Sequence, residues 1–278
     1  MRIVIAPMSV DVADYVAEQI IQRIVNYRPT KERPFVLGLP TGSTPLVTYQ
    51  RLIQAFREGR VSFSNVVTFN MDEYVGLPEE HPESYHSFMK NNFFSFVDIP
   101  KENINILNGN APDLVSECER FEQKMATLGG IHLFLGGVGT DGHIAFNEPG
   151  SSLSSGTRVK SLNQETVASN ARFFDKDVSK VPTMALTVGV QTVMNAKSVI
   201  IIATGASKAV AVAQLVEGSI SHAYPITALQ YHKEMLLCLD EEATLELKVK
   251  TVRYFKGLLK REDELRQRQA NAKKLSKI

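Results

Sequence analysis

The segment Thr140-Asp141-Gly142-His143-Ile144-Ala145-Phe146-Asn147-Glu148-Pro149 sets two carboxylates around one histidine within eight residues. Histidine is the side chain best suited to moving protons near neutral pH. A neighbouring carboxylate orients its ring and raises its basicity. A histidine merely bonded in a turn would explain a lone Asp-x-His, but Glu148 and the preceding glycines favour a site. Metal binding is the weaker alternative, because no second histidine stands three or four residues from His143. A second source of carboxylates is Val66-Val-Thr-Phe-Asn70-Met-Asp72-Glu73-Tyr74, where two acids follow an apolar run. One of them could be a general base at the rim of a sheet; solvated loop acids fit the spacing equally well.

Two further segments suit an anion. In Gly38-Leu-Pro-Thr-Gly42-Ser43-Thr44-Pro45, Gly42 lets the backbone approach a ligand closely, and Ser43 and Thr44 add hydroxyls and N–H groups. Pro45 fits the first turn of a helix, whose free N–H groups and dipole favour phosphate. An ordinary strand-to-helix turn is the competing reading. Ile200-Ile-Ile-Ala-Thr-Gly205-Ala-Ser-Lys208 repeats the pattern with a lysine at a helix start. That cation opposes the dipole by a few tenths of a kcal/mol unless an anion compensates. Two such loops at the carboxyl ends of strands in one sheet would share a crevice. Neither is a Walker A loop, so nucleoside triphosphate binding is not supported. Gly137-Val-Gly139-Thr-Asp-Gly142 matches the dinucleotide fingerprint, but Pro149 and Gly150 arrive where the required helix should run. Its glycines more naturally let a loop lie against a small ligand.

The elements that must carry these loops follow from hydrophobic periodicity. Apolar runs at 2–6, 35–39, 66–69, 131–135, 198–203, 227–229 and 235–239 read as strands. Helical spacing appears at 10–27, 46–56, 84–94, 114–128, 182–194 and 206–216. Several strands are continuously hydrophobic, as in a mostly parallel sheet covered on both faces. The expected fold is a single three-layer α/β/α domain with a mostly parallel, Rossmann-like sheet, spanning 1–255. Residues 147–181, rich in Ser, Asn, Thr and Gly, form an expected lid or binding loop. Residues 256–278 carry eight Lys/Arg against three acids, a basic tail read as a solvated or fraying helix.

The whole chain of 278 residues has a formal charge of +1, which gives no electrostatic case for nucleic acid or an anionic membrane. No apolar stretch reaches the ~20 residues of a transmembrane helix. The N-terminus lacks the pattern of a signal peptide. Cys118 and Cys238 stand too far apart for a disulfide framework or a metal motif. A cytoplasmic protein is expected.

Together, LPTGSTP, FNMDEYVGL, ESYHSFM and LGGVGTDGHIAFNEPGSS resemble the bacterial, allosterically regulated glucosamine-6-phosphate deaminases. The resemblance runs to about Phe255. It implies conversion of D-glucosamine 6-phosphate and water into D-fructose 6-phosphate and ammonia, with no organic cofactor and no catalytic metal. It implies Asp72 as the base at C2, His143 as the ring-opening acid/base, and Asp141 and Glu148 as its orienting groups. The phosphate would lie on Gly42, Ser43 and Thr44, with Lys208 and Arg172 as cations. It further implies a homohexamer activated by N-acetylglucosamine 6-phosphate at Ser151, Ser152, Arg158, Lys160, Ser161 and Tyr254. Such members commonly have threonine where Ser161 stands; the hydroxyl is kept, so activation is expected to survive with altered affinity. The rivals are a 6-phosphogluconolactonase, which would not need the FNMDEY base, and a sugar-phosphate sensor, which would need a DNA-binding helix-turn-helix. A pure interaction module would leave three polar constellations unexplained.

Overall fold

The computed structural model describes residues 1–275. The chain alternates strand and helix: β1 (Arg2–Ala6), α1 (Ser9–Tyr27), β2 (Phe35–Leu39), α2 (Leu46–Arg57), β3 (Val66–Asn70), β4 (Asp72–Tyr74) and α3 (Tyr85–Asn92). Then come β5 (Ile104–Asn105), α4 (Leu114–Thr127), β6 (Leu133–Gly137), β7 (Arg158–Ser161), α5 (Gln164–Asn170) and β8 (Met184–Thr187). The remainder is α6 (Val190–Met194), β9 (Val199–Ala203), α7 (Ala209–Glu217), β10 (Met235–Asp240) and α8 (Val249–Leu275).

Seven strands form one sheet in the order β1-β10-β9-β6-β2-β3-β5. Every pairing in it is parallel. The alternation of a strand explains the layers. Leu236 and Cys238 of β10 join the core shared with α1 and α2, while Met235, Leu237 and Leu239 join the core shared with α4, α6 and α7. Both faces are therefore dry, which is why these strands read as unbroken apolar runs. Burying each such Leu, Ile, Val or Phe contributes about 1.5–3 kcal/mol. The expected three-layer, mostly parallel fold is the one observed.

Beside it lies a second, antiparallel sheet, β4-β8-β7, which the periodicity did not reveal. A helix expected over 182–194 is instead strand β8 followed by the short α6. Gly189 separates them: a Cβ there would sit 1.9 Å from the Ser155 carbonyl oxygen, so the chain turns where only glycine fits. The strand expected at 227–229 is part of a 3₁₀ turn, Pro225–Tyr231. Its Thr227 hydroxyl bonds backward to the Ser221 and Tyr224 carbonyls, a local pattern that competes with sheet pairing. The segment 147–181 holds β7 and α5 and closes over a third apolar cluster of Tyr74, Phe146, Leu162, Val167, Ala171, Phe174, Val181 and Ala185. The expected boundary at residue 255 falls inside α8, so the basic segment continues that helix. Residues 276–278 of that segment lie outside the described residues. No helix among the described residues is long and apolar enough to cross a membrane.

Candidate active site

Three neighbouring strands, β9, β6 and β2, deliver three loops from their carboxyl ends to one place. The helix after β2 packs on one face of the sheet and the helix after β9 on the other. A crevice opens where the chain changes face. It holds a cavity of about 760 Å³. Among its lining residues are Gly42, Ser43, Thr44, Asp72, Asp141, His143, Arg172 and Lys208, so eight of the nine residues expected of the catalytic and substrate-binding set meet there.

The first loop takes its shape from Gly42, whose φ of +96° is one that side-chain-bearing residues rarely adopt. α2 then starts at Leu46 without a side-chain cap. Its first N–H groups and its positive dipole end are left for a ligand. The second loop turns at Gly205, with a φ of +85°. The Gly205 N–H donates to both carboxylate oxygens of Asp240, each at 3.0 Å, which ties the loop to the end of β10. Lys208 follows. Burial first, and then the like charge of Arg172, push its ammonium below its ordinary pKa. Arg172 itself lies over the Phe173 ring, 4.6 Å from its centre. Two cations on one cavity wall, with the Lys208 ammonium held down by burial and by Arg172, suit an anionic group.

The third loop seats His143. Its Nδ1 lies 2.6 Å from Asp141 Oδ1, and its backbone N–H donates to the same oxygen at 3.2 Å. Partial burial raises the Asp141 carboxyl, but the bonds from His143 outweigh it and hold the acid below its ordinary value. Nδ1 is thereby engaged and Nε2 is the atom left for proton transfer. Gly139 makes this seat possible: a Cβ there would stand 2.1 Å from His143 Nδ1. The glycines that imitated a dinucleotide fingerprint serve a histidine, and no helix opens after them.

Asp72 enters from β4, the edge of the small sheet. It is 7% exposed, and that opening faces the cavity. Burial and then the neighbouring charge of Glu73 raise its carboxyl to about 8. Tyr49, Tyr74 and Tyr85 surround it, and burial pushes all three phenols up. Asp72 is thus a proton acceptor poised near neutrality. Of the two acids that the sequence left open, Glu73 is excluded as the base because its oxygens are turned away onto the start of α3.

Glu148 departs from expectation. It does not line the cavity. Among the described residues its partners belong to the covering segment rather than to His143. Its Oε1 accepts from the Asn163 N–H at 3.0 Å and the Thr166 hydroxyl at 2.6 Å, and its Oε2 lies 3.7 Å from Lys160 Nζ. It ties β7 and α5 to the catalytic loop.

Of the six residues expected at an activator site, five lie on β7 or the loop before it. Arg158 Nη1 donates to Asn147 Oδ1 at 2.8 Å, and the Ser152 hydroxyl shares a 3.0 Å bond with Ser154. The Ser151 hydroxyl is buried without a partner among the described residues. Ser161 is exposed at the end of β7. Tyr254 stands apart on α8, 60% exposed beside Phe255.

Sequence reasoning missed Thr41, Tyr85, Thr166, Asn170 and Ser207 on the cavity wall. Tyr85 had a trace in the sequence, since it follows the capping serine Ser84, but nothing there said that its buried ring would face a ligand. Asn170 donates to the Tyr74 hydroxyl at 2.8 Å, a contact between segments 96 positions apart that no spacing could announce.

Residues 7–238 match the family described as glucosamine-6-phosphate isomerases/6-phosphogluconolactonase. The chain is 60% identical over 258 residues to the glucosamine-6-phosphate deaminase of Aeromonas hydrophila, covering 93% of this chain and 97% of that protein. It is likewise 60% identical to the glucosamine-6-phosphate deaminase of Haemophilus influenzae (strain PittEE), covering 93% and 96%. Among solved structures, a monomeric glucosamine-6-phosphate deaminase aligns with a TM-score of 0.83 and 40% identity, covering 88% of this chain and all 100% of the other. A 6-phosphogluconolactonase from Trypanosoma cruzi shares the fold at a TM-score of 0.70 and 19% identity, covering 89% and 97%. With the family match spanning residues 7–238, and with relatives and a solved structure agreeing over most of its length, this chain belongs to the glucosamine-6-phosphate isomerase/6-phosphogluconolactonase family.

Proposed function

We infer that the chain is a deaminase that converts D-glucosamine 6-phosphate and water into D-fructose 6-phosphate and ammonia. The observation that carries this is a buried carboxyl raised to about 8, opening on the same cavity as an uncapped helix start and a carboxylate-held histidine. The relatives named glucosamine-6-phosphate deaminase, at 60% identity, supply the substrate.

The phosphate sits on Gly42, Ser43 and Thr44 and meets Lys208 and Arg172. His143 moves a proton to or from the ring oxygen, so the pyranose opens to the aldehyde. Asp72 then takes the C2 proton. The electron pair shifts to give an enol-type intermediate bearing the nitrogen, and Asp72 returns the proton at C1. The resulting C2 imine adds water and releases ammonia, leaving the ketose. A single carboxylate on one face of the chain serves both adjacent carbons, and ring opening needs its own acid/base. The two groups sit on different loops accordingly.

The activator reading is the finer step: N-acetylglucosamine 6-phosphate on Ser151, Ser152, Arg158, Lys160, Ser161 and Tyr254, in a homohexamer in the cytoplasm. Three features support it. The unpartnered Ser151 hydroxyl lies near two cations in sequence, and β7 reaches Asp72 through only one intervening strand, β8. The exposed Tyr254 suits a subunit interface. A coupled assay of ammonia and fructose 6-phosphate, with and without the acetylated sugar phosphate, tests both steps. Ammonia release with a lower apparent KM in its presence is expected. Hydrolysis of 6-phosphogluconolactone without deamination would overturn the reading.

A further inference from the structure

Glu73 is only 2% exposed, and the chemistry above does not use it. Both its oxygens are occupied. Oε1 accepts from the Tyr74 N–H at 2.7 Å and the Tyr85 N–H at 3.1 Å. Oε2 accepts from the His86 N–H at 3.1 Å and lies 2.8 Å from His86 Nδ1. The three backbone groups can only donate, so the side chain accepts from all of them. Tyr85 and His86 open α3, and among the described residues its Ser84 cap accepts from the Ser87 N–H alone. Glu73 therefore satisfies two helix-start donors that Ser84 does not reach. In doing so it fastens β4 to α3. Strand alternation sends Asp72 to the opposite side of β4, where it meets the cavity. α3 in turn presents the Tyr85 ring to the same cavity, within reach of the Thr41 hydroxyl of the first loop and the Tyr74 hydroxyl.

We propose that Glu73 is a positioning residue for the proton transfer: it ties β4 to the start of α3 and so fixes Asp72 against Tyr85 across the substrate. The proposal rests on the deaminase reading. The Glu73 charge has a second effect, since it adds to burial in making Asp72 hold its proton. The other groups around Asp72 are Tyr49 from α2, Tyr74 on β4 and Tyr85 from α3, all neutral near pH 7. His143, Asp141, Arg172 and Lys208 face it from the cavity loops.

The test is kcat and KM against pH for the full-length wild type, Glu73→Gln and Glu73→Asp with glucosamine 6-phosphate. In Glu73→Gln, kcat is expected to fall roughly 10- to 100-fold with KM within about twofold. Its acid limb in kcat/KM should move down by roughly one pH unit, because the neighbouring negative charge is gone. Glu73→Asp keeps the charge and withdraws it by one methylene, so its limb should stay at the wild-type position while kcat falls. An unmoved limb in Glu73→Gln, as for a limb set by the substrate's own amine, would overturn the proposal. So would a parallel loss in kcat and KM. Should Glu73→Gln not fold, Glu73→Asp decides alone: wild-type kcat, or a loss carried by KM, rejects the positioning role. A wild-type enzyme that releases no ammonia would instead reject the functional reading itself.

Discussion

Asp72 is a carboxyl held in its neutral form by its surroundings, and this has consequences for stability as well as catalysis. Its folded value of about 8 lies well above the roughly 3.9 of an unfolded aspartate. The native state therefore holds an extra proton between those values. The stability that this group contributes is complete below about pH 4 and is lost as pH rises through about 8. Asparagine at the same place does not titrate. Thermal melts of Asp72→Asn and wild type should thus lie closest at about pH 4, with the variant melting progressively higher toward pH 9; parallel curves would show that burial does not set this group. His143 carries a different expectation. His143→Gln removes the ring-opening group alone, so an open-chain analogue should be turned over at close to the wild-type rate while the cyclic substrate loses about 10²- to 10⁴-fold. Equal losses on both would contradict the assignment. These residues were legible because aspartate and histidine near glycines are chemically distinctive even without coordinates. Residue types and spacing alone left Asp72 and Glu73 open and only the resemblance named Asp72; the fold adds which acid meets the cavity and which meets four hydrogen-bond partners.

The loops act as parts with separable tolerances. Gly139 and Gly42 both look replaceable in a motif, yet their surroundings differ. Gly139→Ala would drive a methyl into the His143 ring, where no free space exists. A kcat loss of about 10²-fold or more is expected, with competitive binding of fructose 6-phosphate retained. Gly42→Ala meets nothing within 4 Å and suffers only its φ of +96°. That costs about 1–2 kcal/mol and should appear in KM through the phosphate loop. Kinetics of the two variants side by side would separate them, and matching defects would argue against distinct roles for the loops. The parallel sheet was readable because both its faces are buried, leaving continuous apolar runs. The small sheet was not: β4 has three residues, β7 is polar and half-exposed, and β8 sits in an apolar stretch that also satisfies a helical period. Its strands become visible only through pairing between distant segments, Asp72 with Thr187 and Arg158 with Thr187.

Taken as one body, the chain joins two sheets of different character. The parallel sheet holds the loops of Gly42, Gly205 and His143, while the antiparallel sheet carries Asp72, the proposed base, at one edge and Arg158 and Lys160 at the other. A ligand on β7 can therefore bias β4 by shifting a three-stranded unit, a route that needs no movement of the parallel sheet. Arg158→Ala should abolish the response to N-acetylglucosamine 6-phosphate while leaving unactivated kcat within about twofold, because Arg158 does not line the catalytic cavity. Retained activation would place the activator elsewhere. Sedimentation velocity should find six chains; a monomer, as in one solved relative, would remove the interface that Tyr254 is expected to serve.

The central claim is that Asp72 itself carries the proton from C2 to C1. Glucosamine 6-phosphate deuterated at C2, incubated with wild type and with Asp72→Asn, puts this to trial most directly, with ammonia and the label at C1 of fructose 6-phosphate followed together. Wild type should release ammonia with part of the deuterium recovered at C1, and the variant should bind the sugar phosphate yet form neither product. Turnover by the variant at anything near the wild-type rate would contradict the account.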